Sequence, residues 1–189
     1  RGCPGAGTFP EKLNLTRPDI IARIHRESAE AGADVISAAT FGANAAKAGD
    51  MSDDLIRAAI KIARSVAENR FVALALGPTG QLIEPLGTMS FDTAYDVYKR
   101  AVLAADGADL VLVETMSDLA ELRAALLAVK ENSDLPVIAS MTFFDNLRTF
   151  TGCDVTSFAL PAAPLADANG VHRYHGPAHP APPDDTPQL

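Results

Sequence analysis

The chain has 189 residues, with 16 Lys+Arg against 24 Asp+Glu and a formal charge of −8. That acidic balance argues against nucleic acid and anionic membrane as partners, since both are held by concentrated Lys and Arg, and no apolar run is long enough to span a bilayer. Hydrophobic residues at 48% and charged residues at 21% are ordinary for a folded domain, which argues against wholesale disorder.

Along the chain, Thr16-Arg17-Pro18-Asp19 reads as a capping box that opens a helix, with the proline tolerated in the first turn. Ile20, Ile21, Ile24 and Ala31 recur at helical spacing, and Gly32 supplies the stop. Residues 35–40 then read as a buried strand. A second helix carries Leu55, Ile56, Ala59, Ile60, Ala63 and Val66 on one side, and residues 71–76 form the next strand. Ser90 caps a third helix that runs to about Ala105, with Tyr95, Tyr98 and Val102 inward. Residues 110–113 make a short apolar strand. Ser117 is the expected cap of a fourth helix, with Asp118 and Glu121 near its positive end and Leu122, Leu126 and Val129 inward. Residues 136–143 form a fourth strand, and a fifth helix starts near Asp154.

Composition changes after Leu160, where prolines and histidines replace large apolar residues. Such a stretch has little to bury against the entropy of ordering, so 161–189 reads as a disordered tail. The expected organisation is a remnant at 1–9, a domain at 10–160 and that tail. A reading-frame shift in GC-rich coding DNA would give such a change; a natural C-terminus is the alternative. The first residues hold no apolar signal and do not begin with Met, which predicts a processed chain or a fragment. Cys3 and Cys153 are too few for a disulfide framework, and sparse free thiols suit a cytoplasmic address.

Doubly buried strands that alternate with helices predict parallel βαβ units in an α/β fold. No GxGxxG or Walker sequence follows any strand, which weakens a nucleotide-binding open sheet. Each strand ends instead in small and polar residues. In a (β/α)8 barrel these ends converge on one mouth, so a partial barrel is the expected fold.

Glu114 is the sharpest candidate, a carboxylate at the end of an apolar strand where an unpaired charge is costly. It reads either as an anchor for a ligand's cationic group or as one half of an internal ion pair. Thr40, Gly42 and Asn44 present amide and hydroxyl groups at the mouth, or simply make a strand-to-helix turn. Residues 77–80 carry the same ambiguity. In Ser140-Met141-Thr142 a hydroxyl faces the barrel axis while Met141 packs outward. His172, His175 and His179 mimic metal-ligand spacing, but Pro177 and Pro180 oppose the helix that would gather them. His25 reads as a solvated helix residue.

The segments "PEKLNLTRPDIIARIHRESAEAGADVI", "TFGAN", "LGPTG", "EPLG", "LVLVETMSDLAELRAALLAVKE" and "LPVIASMTF", in this order, resemble the homocysteine S-methyltransferase family, above all its cobalamin-dependent methionine synthase type. The resemblance runs from about Pro10 to Leu160. It implies strands two to five of a (β/α)8 barrel that binds homocysteine and zinc at its mouth. In that scheme three cysteines on strands six and eight hold the zinc, and the bound homocysteine thiolate attacks a methyl group, that of methylcobalamin in the methionine synthase case. Glu114 matches the glutamate that grips the homocysteine ammonium; Thr40, Gly42 and Asn44 match the loop after strand two. Thr142 belongs to the same substrate-binding set. A methyl-donor module or cobalamin domain is the implied partner. The chain departs from the pattern in three ways. It lacks the first strand with its aspartate, it has Ala38 and Ala39 where Thr and Asn are usual, and Cys153 matches no zinc ligand. Methyl transfer by this chain alone is therefore not expected.

Overall fold

The structure, a computed structural model, describes residues 9–173. Its centre is one five-stranded parallel sheet in the order β1-β2-β3-β4-β5. The strands are β1 (Val35–Ser37), β2 (Phe71–Leu76), β3 (Leu110–Met116), β4 (Val137–Phe143) and β5 (Ala168–Arg173). The order is strictly sequential. A doubly wound sheet reverses direction at a switch point, whereas a barrel adds each strand beside the last. The partial-barrel expectation holds.

Helices connect the strands. A turn at Pro10–Lys12 and α1 (Leu13–Thr16) lead into α2 (Pro18–Glu30); α3 (Ala45–Ala48) and α4 (Ser52–Ala67) follow β1. Then come α5 (Phe91–Leu103), α6 (Leu119–Asn132) and α7 (Val155–Ala162), one before each remaining strand. No helix among the described residues is long and apolar enough to cross a membrane.

Strand alternation divides the sheet into two faces. Val72, Leu74 and Leu76 of β2, Val111 and Val113 of β3, and Val137, Ala139, Met141 and Phe143 of β4 form one core with the helices. Helix α4 contributes Leu55, Ile56, Ala59, Ile60 and Ala63 as its spacing predicts, with Ala67 rather than Val66 completing the stripe. Residues of the other parity, including Ala73, Ala75, Leu112, Ile138 and Ser140, line the concave side. Part of that side is open: Phe71 is 58% exposed and Ile138 36%.

Several expectations need correction. Thr16 ends α1, and its hydroxyl donates to the Lys12 carbonyl at 3.0 Å; Arg17 takes the cap position of α2 without a side-chain bond. The inward stripe of α2 is Ile21, His25 and Ala29, so Ile24 is 47% exposed and His25 only 6%. Four-residue spacing carries His25 under the helix, and burial lowers its pKa. Asp118, not Ser117, caps α6, accepting from the Ala120 and Glu121 amides at 2.7 and 3.4 Å. The caps at Ser90 and Asp154 stand as expected.

The main difference lies after Leu160. Pro161 sits inside α7, and residues 168–173, assigned by composition to the tail, form β5. The strand is largely exposed, which explains its weak sequence signal: a strand that buries little needs no apolar run. The remainder of the expected tail, with His175 and His179, and the expected remnant with Cys3, lie outside the described residues.

One device recurs at the N-terminal ends of the strands. The Asp109 Oδ2 accepts the Val72 amide at 2.7 Å and Arg64 at 2.6 Å, while the Asp109 amide donates to the Val72 carbonyl at 2.8 Å. Asp167 repeats this on Val137, with Lys130 as the cation, at 2.8 Å to the amide and 2.9 Å to the amine. Each aspartate thereby joins the helix before one strand to the loop before the next. Burial alone would raise the Asp109 carboxyl, but the Val72 amide and Arg64 outweigh it and hold it below its ordinary value. A depressed carboxyl stabilises the fold above its unfolded-state pKa and loses that contribution as pH falls through its folded-state pKa. Asp109→Ala is expected to cost about 1–3 kcal/mol in urea unfolding at pH 7. The gap to the parent chain should narrow as pH falls through the folded-state carboxyl range.

Candidate functional site

The C-terminal ends of the strands carry the polar residues singled out in the sequence. They separate into groups consumed by the fold and groups left open.

Thr40 belongs to the first set. Its buried hydroxyl donates to the Ala75 carbonyl at 2.8 Å and accepts the Ala75 amide at 3.0 Å, so it continues the β1–β2 ladder in place of backbone. Gly42 donates its amide to the Glu11 carboxylate at 2.6 Å, and a Cβ there would lie 2.7 Å from the same oxygen. Asn44 caps α3 by accepting the Lys47 amide at 3.2 Å, and its Nδ2 reaches the Pro78 carbonyl at 3.4 Å. These three residues build the loop between β1 and α3 and tie it to its neighbour.

Two further carboxylates do the same. Glu11 and Asn14, from the first turns, hold the loop at the Gly42 amide and, at 2.8 Å, at the Ala39 carbonyl. Glu121 is buried at the start of α6. Its Oε1 accepts the Thr79 amide at 2.7 Å, the Thr79 hydroxyl at 2.6 Å and the Tyr98 hydroxyl at 3.0 Å. Tyr98 also reaches the Gly77 carbonyl at 3.2 Å, and burial first, then the Glu121 charge, raises its pKa well above the ordinary value. A Cβ on Gly77 would lie 2.6 Å from the Phe41 ring, so glycine lets the two loops touch. The 77–80 loop is thus positioned from behind. Sequence reading placed Glu121 only at a helix dipole and gave Glu11 no role; neither residue's spacing points to a loop so distant in the chain.

Glu114 is different. Val113 pairs with Ala139 and Met116 with Met141, so Glu114 and Thr115 stand together opposite Ser140 in a bulge. Thr115 has φ 62°, a left-handed conformation that costs a β-branched residue roughly 1–3 kcal/mol. Glu114 lies on the concave face, half-buried, and makes no hydrogen bond or ion pair among the described residues. Burial raises its pKa above the ordinary carboxylate value, and the charge of nearby His172 opposes the shift only in part.

Thr142, on the same face of β4, has a buried hydroxyl with no partner, and its register partner on β5 is His172. Met141 packs into the core, as the alternation predicts. The structure therefore gathers Glu114, Thr142 and His172 on adjacent strand ends and leaves Thr40, Gly42 and Asn44 within the scaffold. His172 entered the sequence reading only as one of three spaced histidines; its place beside Glu114 follows from β5, which composition hid.

A zinc ion held by three thiolates does not fit this chain. It has two cysteines in all. Cys153 sits in the loop after β4, its thiol donating to the Asp154 carbonyl at 3.4 Å and pushed up in pKa by burial. Among the described residues, no group of three or more His, Cys, Asp or Glu side chains could hold a metal. By order along the barrel β5 is the sixth strand of the resemblance, and it ends in His172 and Arg173. Arg173 is bound to Asp145 at 2.9 Å.

Because the Thr40 hydroxyl is spent on the ladder, Thr40→Val should lower unfolding free energy by about 1–3 kcal/mol. Chemical denaturation checks this, and ligand affinity of the folded fraction should stay within twofold.

Comparisons with known proteins agree with this architecture. Methionine synthase of Mycobacterium tuberculosis (strain ATCC 25618 / H37Rv) is 34% identical over 198 residues, covering 94% of this chain. The chain spans 16% of that relative's length. Crystal structures of the homocysteine methyltransferase MmuM from Escherichia coli superpose with TM-scores of 0.80 for the oxidized form and 0.79 for the metallated form. Both are 22% identical and cover 90% of this chain, which in turn covers 68% and 69% of theirs, so this likeness speaks for the fold. The family model for homocysteine S-methyltransferase matches residues 7–172, past Leu160 and through most of β5. With its half-barrel fold and a match over most of its length, the chain belongs to the homocysteine S-methyltransferase family.

Proposed function

We propose that this chain is the homocysteine-binding portion of a methionine-synthase-type methyltransferase, with Glu114 holding the α-ammonium of the bound amino acid. The observation that carries this is the open carboxylate itself. Glu114 is half-buried, set in a strained bulge on the concave face, and forms no ion pair among the described residues, His172 offsetting its burial only in part. A carboxylate in that state gains most when a ligand cation arrives, because the burial cost has already been met by folding. Thr142 brings a hydroxyl without a partner to the same face. Identity of 34% with a methionine synthase over nearly the whole chain supports the type.

In this reading the chain contributes binding and orientation. Glu114 fixes the ammonium end, and the concave face receives the side chain. In the intact enzyme a zinc ion, for which this chain has no ligand set, would favour the thiolate form of the bound sulfur, and a donor such as methylcobalamin would supply the methyl group. Both belong to groups beyond the donor set of these residues, so the chain by itself transfers no methyl group. The surroundings are a reducing, cytoplasmic compartment. A second reading is favoured by the edges of β1 and β5, which have no further strand beside them among the described residues: a half-barrel that pairs with another chain carrying the missing strands.

Calorimetric titration of L-homocysteine tests the first reading. Glu114→Gln should weaken binding at least tenfold, the usual scale for a lost charge-assisted contact. Affinity of the parent chain should fall as pH drops through the raised Glu114 pKa, since protonation removes the anion that the ammonium needs. Binding unchanged by the substitution would overturn the assignment. For the second reading, sedimentation across a hundredfold range of concentration should give a mass that rises with concentration; a monomer throughout counts against pairing with a second copy.

A further inference from the structure

Residues 10–30 run as one helical arm that grips the rest of the fold in two places. Its first turns hold the loop after β1: Glu11 accepts the Gly42 amide at 2.6 Å, and Asn14 donates to the Ala39 carbonyl at 2.8 Å. Its longer part, α2, packs on α1, α4 and β1. We propose that this arm is an acid-released latch, in which protonation of His25 frees α2 from α4 and with it the hold of Glu11 and Asn14 on the mouth loop.

The packing of α2 is thin. Of its 13 residues only Ile21, His25 and Ala29 are buried, and its N-terminus has no side-chain cap. Helices held by so few apolar contacts open locally before the whole fold does. His25 stands in the middle of that stripe, 6% exposed, and its buried Nε2 has no hydrogen-bond partner. A neutral imidazole can occupy such a place, whereas an imidazolium, with N–H on both nitrogens, would bury an uncompensated charge.

No neighbouring charge offsets that cost. Neither α1 nor β1 carries a titratable side chain, and α4 turns Leu55, Ile56, Ala59, Ile60 and Ala63 to the core. Among the charged residues of α4, Asp53 is bound to Arg100 and Arg64 to Asp109, while Asp54, Arg57 and Lys61 are exposed. On α2 itself Asp19, Arg23, Arg26, Glu27 and Glu30 are exposed as well. Arg70 donates to the Ala29 carbonyl at 2.9 Å and anchors the far end of the helix. Burial alone displaces the His25 pKa, with no contribution from any of these charges.

The closed arm therefore binds fewer protons at His25 than an open one. Opening is unaffected well above the ordinary histidine value of about 6.5 and grows by up to about tenfold per pH unit below it, until the folded-state pKa is reached. The latch acts on the loop and is independent of what the mouth binds.

Hydrogen exchange on the whole 189-residue chain at pH 7.5 and 5.5 is the test, read as protection factors so that the intrinsic pH dependence of exchange is removed. Protection of the Ile21, His25 and Ala29 amides and of the Gly42 amide is expected to fall at least threefold at pH 5.5, with the α6 amides changing less than twofold. His25→Leu, which cannot titrate, should abolish the fall. An NMR titration of the parent chain, which needs no variant, should place the His25 imidazole below the ordinary value. A smaller fall in α2, a Gly42 amide that does not follow it, a fall that persists in His25→Leu, or a His25 midpoint at or above the ordinary value would each overturn the latch.

Discussion

Everything in this half-barrel depends on register at the N-terminal ends of its strands. In a parallel sheet a slip of one residue turns every inward side chain outward. Glu114 would then enter the helix-packed core and Val113 the mouth. The aspartates at 109 and 167 oppose such a slip, because each binds the first core-facing residue of a strand through both its side chain and its own amide. Arg64 and Lys130 bring the preceding helix into the same contact. In barrel folds this end carries stability and the opposite end carries chemistry, and the polar residues here follow that division.

Three glutamates near the mouth show how one residue type serves two purposes. Glu11 and Glu121 are buried and accept backbone amides of loops far away in the chain, which converts their charge into loop position. Glu114 receives no such donor. Its bulge spends backbone strain at Thr115 to present the carboxylate to the concave side, where Thr142 is also unmatched. Scaffold and candidate site thus differ in whether the carboxylate holds a backbone amide: Glu11 and Glu121 do, although Glu11 keeps its second oxygen unpartnered, and Glu114 does not.

Much of the fold was legible because period decides face. The strands at 71–76 and 137–143 follow from continuous apolar runs between helices, and the stripe along α4 from helical spacing. Glu114 stood out for the same reason, as a charge ending an apolar run. Legibility failed where contacts are non-local or where the surface is open. His25 looked solvated because its neighbours in sequence are charged, although its neighbours in space lie one helical turn away. Thr40 looked available because nothing in the sequence announces that Ala75 will lie beside it. Strand β5 was missed because hydrophobicity marks burial, and this strand is an exposed edge.

The sequential strand order has a consequence for how the chain comes into being. Each strand needs only the strand made just before it, and each aspartate clamp joins parts already synthesised. A ribosome delivering the chain from its N-terminus can therefore add one unit at a time, with the growing sheet serving as template for the next strand. At each stage the newest strand is an unfinished edge, the kind of surface that chaperones cover and that aggregates exploit. On this view the vulnerable moments in the life of the protein are the intervals in which each new strand stands as that edge.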